Sequence, residues 1–462
     1  AKERVRSEVE PLIATADQSG QASSAWYVLA PALLDGEVYE AQYSYEAPPL
    51  SDDDDSDERE NLSNRDKHLE YLSSLLEDDA SRPPVPKDLF EVLALAGIAS
   101  PAAVILRTMR RRFPTAAPEL VIGLAQYASE GFRHLFNLPH GSQVISTFQP
   151  AHDGKEDFWH KALVYCATGN LQSVMDEYVE VMVEHKGYDR LPCDEAADKT
   201  AETIRDVLGL RIPTYRPSTI VSDEAGQPLW DQVSMRGGFA LRLVSDGTQS
   251  EGARDSNAVS TAFNSPFWPF VLASTSVGQE GLDFHLYSHA VSHWNLPTNP
   301  VDLEQREGRV HRYKCHAVRK NVARSVGFPA GAENIWEELF ARAKARKLAG
   351  SSDIVPYWVF APSELGDETA QVERHLHITP YTRERALQGN LLASVSLYRM
   401  AFGQPRQDEL LKYVLRDADE ELREKLTELR IDLTPRPRTL SRSSWHVPRE
   451  VVQGVLESRL PW

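Results

Sequence analysis

The sequence predicts an α/β protein, a lobe built on a parallel sheet with large, mostly helical additions on both its N-terminal and C-terminal sides. Three observations predict it. From Phe239 to Arg312, short apolar runs of strand length alternate with helical segments. Residues 64–183 carry helical periodicity punctuated by Pro and Gly. From Thr382 to Leu429 the pattern is helical again.

A chain of 462 residues exceeds one compact domain. The changes of pattern divide it into a helical domain or insertion over 1–217 with an acidic loop at 51–60, the α/β lobe over 218–362, and a helical extension with a flexible tail over 363–462. The formal charge of −18, from 50 Lys+Arg against 68 Asp+Glu, argues against a surface that embraces nucleic acid as a whole. Binding to DNA or RNA would need a local basic face. No apolar run reaches the roughly 18 residues of a membrane span. The best one, Leu89 to Leu106, is interrupted by Glu91 and Pro101 and reads as buried helix, so no membrane partner is expected. The opening Ala1-Lys2-Glu3-Arg4 has no secretory pattern, which makes the cytoplasm the expected location. The abrupt start without Met predicts that further sequence precedes it. Cys166, Cys193 and Cys315 are odd in number and far apart, fitting reduced thiols better than a disulfide framework or a zinc site.

In order along the chain, Ala1 to Ala16 reads as a short amphipathic helix, and Asp52 to Glu58 as a solvated acidic loop. Helices follow around Leu89, Ala102, Glu119 and Leu171. Arg107, Arg110, Arg111 and Arg112 form a basic end, either a solvated terminus or a phosphate contact. Ser218 to Gln227 reads as a polar loop and Phe239 to Val244 as a strand. Asp255 to Asn264 reads as a helix with Asp255 near its N-cap, Phe270 to Ser274 as a short buried strand, and Ala290 to Trp294 as another. A helix begins at Pro300 and is expected to run through Arg312. Ile354 to Phe360 offers a further strand, and Pro435 to Ser444 a linker.

Two stretches carry chemistry. In Ala273-Ser-Thr-Ser-Val-Gly-Gln-Glu-Gly-Leu-Asp-Phe284 a strand runs into a loop where Gly278 and Gly281 permit tight turning and close approach of a ligand, and Thr275 offers a hydroxyl and an amide to a phosphate. In Asn295-Leu-Pro-Thr-Asn-Pro-Val-Asp-Leu-Glu-Gln-Arg-Glu-Gly-Arg-Val-His-Arg312, Gln305, Arg309 and Arg312 stand at i, i+4 and i+7, on one face if the helix is continuous, with Gly308 clearing space beside them. Guanidiniums so grouped suit a phosphate chain and the charge of phosphoryl transfer. The plainer reading is a surface helix salt-bridged through Asp302, Glu304 and Glu307.

These stretches resemble motifs V and VI of superfamily 2 helicases, with the flavour of the Swi/Snf-type ATPases and of the bacterial ATPase that recycles RNA polymerase. Thr275 and Gly281-Leu282-Asp283 fall on the T-D-x-x-x-R-G-L-D pattern of the DEAD-box motif V, from which Ser276 and Glu280 depart. Gln305, Arg306, Gly308, Arg309 and Arg312 match Q-R-x-G-R-x-x-R throughout. The resemblance covers Phe263 to about Lys320 and, more loosely, Phe239 to Asn264. It implies the RecA-like C-terminal lobe of a helicase or translocase. It further implies that Arg309 and Arg312 reach the ATP phosphates as arginine fingers, that Gln305, Gly281, Asp283 and Gly308 help couple the lobes or touch nucleotide, and that Thr275 contacts the nucleic-acid backbone.

The sequence holds no G-x-x-x-x-G-K-[ST], so ATP and Mg²⁺ are expected to be bound mainly by a first RecA-like lobe of the same protein that this sequence lacks. Asp194-Glu195-Ala196-Ala197-Asp198 resembles the D-E-x-D motif of such a lobe in letters only, because no buried hydrophobic strand precedes it. His285, His289 and His293 recur every four residues, but across a loop and a strand, so no metal site is expected. The basic run with Arg319, Lys320, Lys344 and Lys347 reads either as a phosphate track or as a solvated face, and DNA is the favoured nucleic acid. The functional expectation is the C-terminal motor half of a nucleic-acid-dependent ATPase, inactive or nearly so alone. The alternative is a non-catalytic nucleic-acid-binding or regulatory module that keeps a helicase-like lobe.

Overall fold

The computed structural model describes residues 2–14, 23–36, most of 67–76, 84–148, 157–209, four short strands between 214 and 236, and residues 252–274, 283–327 and 334–346. It also describes two isolated positions between 328 and 333, residues 354–377 and 383–400, and a few positions between 416 and 425. The acidic run at 52–58, the expected strand at Phe239 to Val244, and the tail beyond 425 lie outside these residues. The chain divides into two compact units, Ala1–Gly209 and Leu210–Trp462.

Every labelled element of the first unit is helical: α1 (Lys2–Ile13), α2 (Trp26–Leu34), α3 (Leu89–Ala99), α4 (Pro101–Arg112), α5 (Pro118–Asn137), α6 (Pro139–Phe148), α7 (Phe158–Thr168), α8 (Leu171–Lys186) and α9 (Cys193–Leu208), with a single 3-10 turn at Tyr188–Arg190. Pro punctuates this run at its starts, standing at the first turn of α4 and α5, where its missing N–H costs nothing. Asn170 caps the start of α8, and Gly187, with φ 71°, takes the left-handed turn at its end. The apolar stretch Leu89 to Leu106 is two helices meeting at Ser100-Pro101 with a 44° bend, and among the described residues no single helix is long and apolar enough to cross a membrane. Val9, Trp26, Leu29, Leu89 and Leu93 form one buried cluster joining α1, α2 and α3. α5 and α9 approach closely at Gly131, where a Cβ would come within 2.6 Å of the Leu208 side chain. Arg205 secures the same contact, bonded to Glu130 at 2.8 Å and lying 4.2 Å over the Tyr127 ring. Asp194 starts α9 and accepts from the Ala117 amide, a helix-end role unlike that of a strand-borne metal ligand.

The second unit is α/β. Its described strands are β1 (Thr214–Tyr215), β2 (Ser218–Ser222), β3 (Pro228–Gln232), β4 (Met235–Arg236), β5 (Ala290–His293) and β6 (Glu373–Leu376). Its helices are α10 (Gly252–Phe263), α11 (Pro300–Gly308), α12 (His316–Val326), α13 (Ile335–Ala345) and α14 (Arg383–Met400). β1 pairs with β4 and β2 with β3, both antiparallel, so the segment expected as polar loop at 218–227 begins instead as a strand. Its β-branched centre, Thr219-Ile220-Val221, suits a strand, and the register sets Ile220 opposite Trp230 and Val221 opposite Leu229. β5 and β6 pair in parallel, Ala290 opposite Glu373 and His293 opposite Leu376, with α11, α12 and α13 on the connection between them.

Three expectations are corrected. Phe270 to Ser274 forms no strand, and Phe270 and Val271 are 74% and 85% exposed, because no neighbouring strand supplies a ladder among the described residues. Ile354 to Trp358 is a turn, whose carbonyls accept inward from Lys314 and His311 instead of pairing in a sheet. The helix from Pro300 stops at Gly308. The strand β6 was not expected, since Glu373-Arg-His-Leu376 is mostly polar. Its pairing with β5 and the packing of α14 on α11 carry the lobe's core beyond residue 362.

Candidate nucleotide and nucleic-acid site

α11 starts where its sequence says it should. The Asn299 side chain accepts from the Val301 amide at 2.9 Å, Pro300 occupies the first turn, and Asp302 complements the helix dipole there. Leu303 points into a cluster with Leu391 and Val395 of α14, and Leu296 packs beside them. At its far end the ladder tightens: Val310 and His311 both donate to the Glu307 carbonyl at 3.0 Å, and the chain leaves the helix. Gln305, Arg309 and Arg312 therefore do not lie along one helical face. Gln305 is exposed on α11, Arg309 caps it, and Arg312 follows in the turn. A Cβ at Gly308 would meet nothing within 4 Å, so packing inside this unit does not require glycine there.

The turn brings the two motif-bearing segments together. The Phe284 amide donates to the Arg309 carbonyl at 3.0 Å. Arg312 reaches back with one nitrogen to Asp283 Oδ1 at 2.8 Å and with Nε to the Gly308 carbonyl at 3.1 Å. Both partners of that ion pair keep about a third of their side chains in solvent, 36% for Arg312 and 34% for Asp283. Asn264, directly after α10, ties the same segment by donating to the Asp283 carbonyl and accepting from the Leu286 amide. Thr275, Gly278, Gly281 and Lys347 lie outside the described residues.

Beneath the turn is a contact that the sequence reading missed. Glu307, the variable position of the motif, is buried and bonded by both nitrogens of an Arg374 fork on β6, one of them at 2.6 Å, while His293 at the end of β5 stands 3.3 Å from the same carboxylate. Burial alone would raise the Glu307 carboxyl. The hydrogen bonds from His293 and Arg374, with their charges, outweigh it and hold the group below the usual carboxylate range. Nothing local signals the pairing, because Arg374 is 67 residues away in sequence. His293 attracted notice only as part of a histidine spacing, and no group of three or more His, Cys, Asp or Glu among the described residues is arranged for a metal ion. His316 is held neutral, its value lowered to about 3 by burial first and then by the charge of Arg319.

The expected phosphate track fares unevenly. Arg319 is 2% exposed, its guanidinium spent on the carbonyls of Lys314 and Leu286 and set over the Tyr287 ring, so it ties the loop before β5 to α12 and is withdrawn from any phosphate. Lys320 is half-buried on α12, and Lys344 is exposed in the last turn of α13. Arg324, Arg342 and Arg346 are engaged with Glu368, Glu338 and Ser325 respectively. At the basic end of α4, Arg107 caps the carbonyls of Gly97 and Ile98, Arg111 bonds both oxygens of Asp176, and Arg112 pairs with Glu180.

Residues 244–314 match the family model of the helicase conserved C-terminal domain. That segment is similar to the C-terminal lobe of helicase-like proteins. The match ends two residues beyond Arg312 and contains both motif-bearing segments. The RecA-like α/β fold that the lobe implies accords with the parallel β5–β6 pair and the helices that connect them. No curated protein and no solved structure matches the chain.

Proposed function

We propose that this helicase-like lobe is the C-terminal motor half of a nucleic-acid-dependent ATPase, a helicase or translocase acting on DNA in preference to RNA in the cytoplasm. Arg309 and Arg312 act as arginine fingers toward the ATP phosphates, with Gln305, Gly281, Asp283 and Gly308 at the nucleotide and Thr275, Lys320, Lys344 and Lys347 on the nucleic-acid backbone. ATP and Mg²⁺ are held mainly by a partner lobe carrying the Walker A lysine. Lobe closure on ATP and opening after hydrolysis then drive movement.

The observation that carries the reading is the Asp283–Arg312 pair at 2.8 Å, which joins the ends of both motif-bearing segments and leaves both side chains partly open to solvent. A guanidinium held by a carboxylate in solvent exchanges that partner for a phosphate at little cost, whereas a buried one does not. The remaining scaffold supports this, since Asn264, Glu307 and Arg374 hold the backbone around the turn while leaving its outer arginine accessible.

The test is ATP turnover by the purified chain, alone and joined to a phosphate-binding lobe, with and without DNA or RNA. Little or no turnover alone and nucleic-acid-stimulated turnover when joined is the expected result, because arginine fingers need a positioned phosphate. Robust turnover by the chain alone that disappears on mutating one of its own residues overturns the half-site reading. Nucleic-acid binding with no turnover in any combination favours the regulatory module instead.

A further inference from the structure

We propose that Trp294, with His377 beside it, is a stacking platform for a base of single-stranded nucleic acid. The proposal rests on the nucleic-acid reading above and adds to it a contact to the bases. Trp294 is 85% exposed, more than any other aromatic side chain among the described residues. An indole offers some of the largest apolar area of any side chain, and leaving it in water forgoes the stabilisation that burial would bring.

Its position is specific. Trp294 is the residue directly after β5 and His377 the residue directly after β6, and these strands run parallel with His293 opposite Leu376. Both rings therefore stand at the carboxyl edge of the parallel pair, the edge at which open α/β sheets hold their ligands. Their centroids are 6.1 Å apart and their planes inclined at 46°, so the rings form a corner and do not cover each other's faces. The His377 ring is oriented by the Ser292 hydroxyl at 2.5 Å.

The loop that presents Trp294 is fastened on both sides. Arg306 of α11 donates to the Asn295 carbonyl at 2.9 Å and approaches its side-chain oxygen at 3.4 Å. The Leu296 amide donates to Glu384 of α14 at 3.3 Å, and the Leu296 side chain packs on Leu303, Leu391 and Val395. The loop is thus fastened by the same helix whose end leads into the candidate phosphate-binding arginines. An open aromatic face on a fastened loop, with Arg306 bonded to the next residue, matches a flat base joined to a phosphodiester, and stacking of this kind tolerates any sequence.

The test measures binding of the 462-residue chain to a labelled oligo-dT, to an abasic strand of the same length and charge, and to a duplex. Trp294→Ala should weaken oligo-dT about tenfold, leave the abasic strand unchanged, and leave the melting temperature unchanged, since the side chain is in solvent. Trp294→Phe should restore most of the loss. Equal weakening on both strands, or none on either, overturns the platform while leaving a backbone-tracking lobe intact. Failure of the wild-type chain to bind any strand removes the nucleic-acid reading itself. If saturating ATP abolishes the Trp294-dependent part of binding, the ring holds adenine and the assignment to a strand is wrong.

Discussion

Two arginine-rich turns in this chain invite comparison, one at the end of α4 in the first unit and one at the end of α11 in the second. At α4, Arg107, Arg111 and Arg112 all find partners on α3 or α8, and Asp176 alone collects Arg111, Thr108 and Gln172. At α11, Arg306 holds the preceding loop, and Arg312 has a single carboxylate, Asp283, in a half-open setting. Like compositions have separate roles because the α4 arginines lie along a helix already packed on carboxylate-bearing neighbours. Arg309 and Arg312 fall in the turn after the helix end, where the Arg312–Asp283 pair keeps about a third of each side chain in solvent. A run of Arg predicts a ligand only where the fold leaves its pairing open to solvent.

The largest effect expected concerns what lies beneath the second turn. Arg374→Met leaves Glu307 buried without its fork and should cost about 3–5 kcal/mol of stability at neutral pH, read by urea unfolding. The pH dependence follows from the direction of the shift. Glu307 is held below its unfolded value of about 4.3, so its contribution is present above that pH and is lost as pH falls through the folded value. The difference between wild type and variant should therefore narrow on acidification. A gap below about 1 kcal/mol, or one that is constant with pH, would show that the pair is not the buried fork described here.

Next is Arg309→Ala in the protein joined to a phosphate-binding lobe. Turnover should fall at least ~10²-fold with unfolding little changed, the reverse of the Arg374 result. Retained nucleic-acid-stimulated turnover in both Arg309→Ala and Arg312→Ala would remove the finger assignment and with it the contrast between the two turns.

Arg111→Ala should cost about 1 kcal/mol, because its pair with Asp176 is partly exposed, and should leave nucleic-acid affinity untouched at every salt concentration. A flattened salt dependence would instead make the α4 end a phosphate contact. The smallest change is expected from Lys344→Glu, which should lower the slope of log affinity against log salt by roughly 0.7–0.9 and weaken unrelated sequences alike. An unchanged slope places the track elsewhere on the unit.

The sequence by itself determined the local features. Pro and Gly punctuation marked the helical breaks at Ser100-Pro101 and after Lys186, and Asn299-Pro300 marked the start of α11. The resemblance of residues 273–284 and 295–312 to helicase motifs pointed to the lobe that the family match over residues 244–314 supports. Only the tertiary structure decided which cations are available. Arg319 stands in a basic run and is buried under Tyr287, Glu307 is a variable motif position and anchors the turn, and Arg374 pairs with it from a strand that polarity disguised. Each of these depends on a carbonyl or carboxylate brought close from tens of residues away, and a guanidinium's fate is set by the partners within about 3 Å of it, which no local pattern encodes.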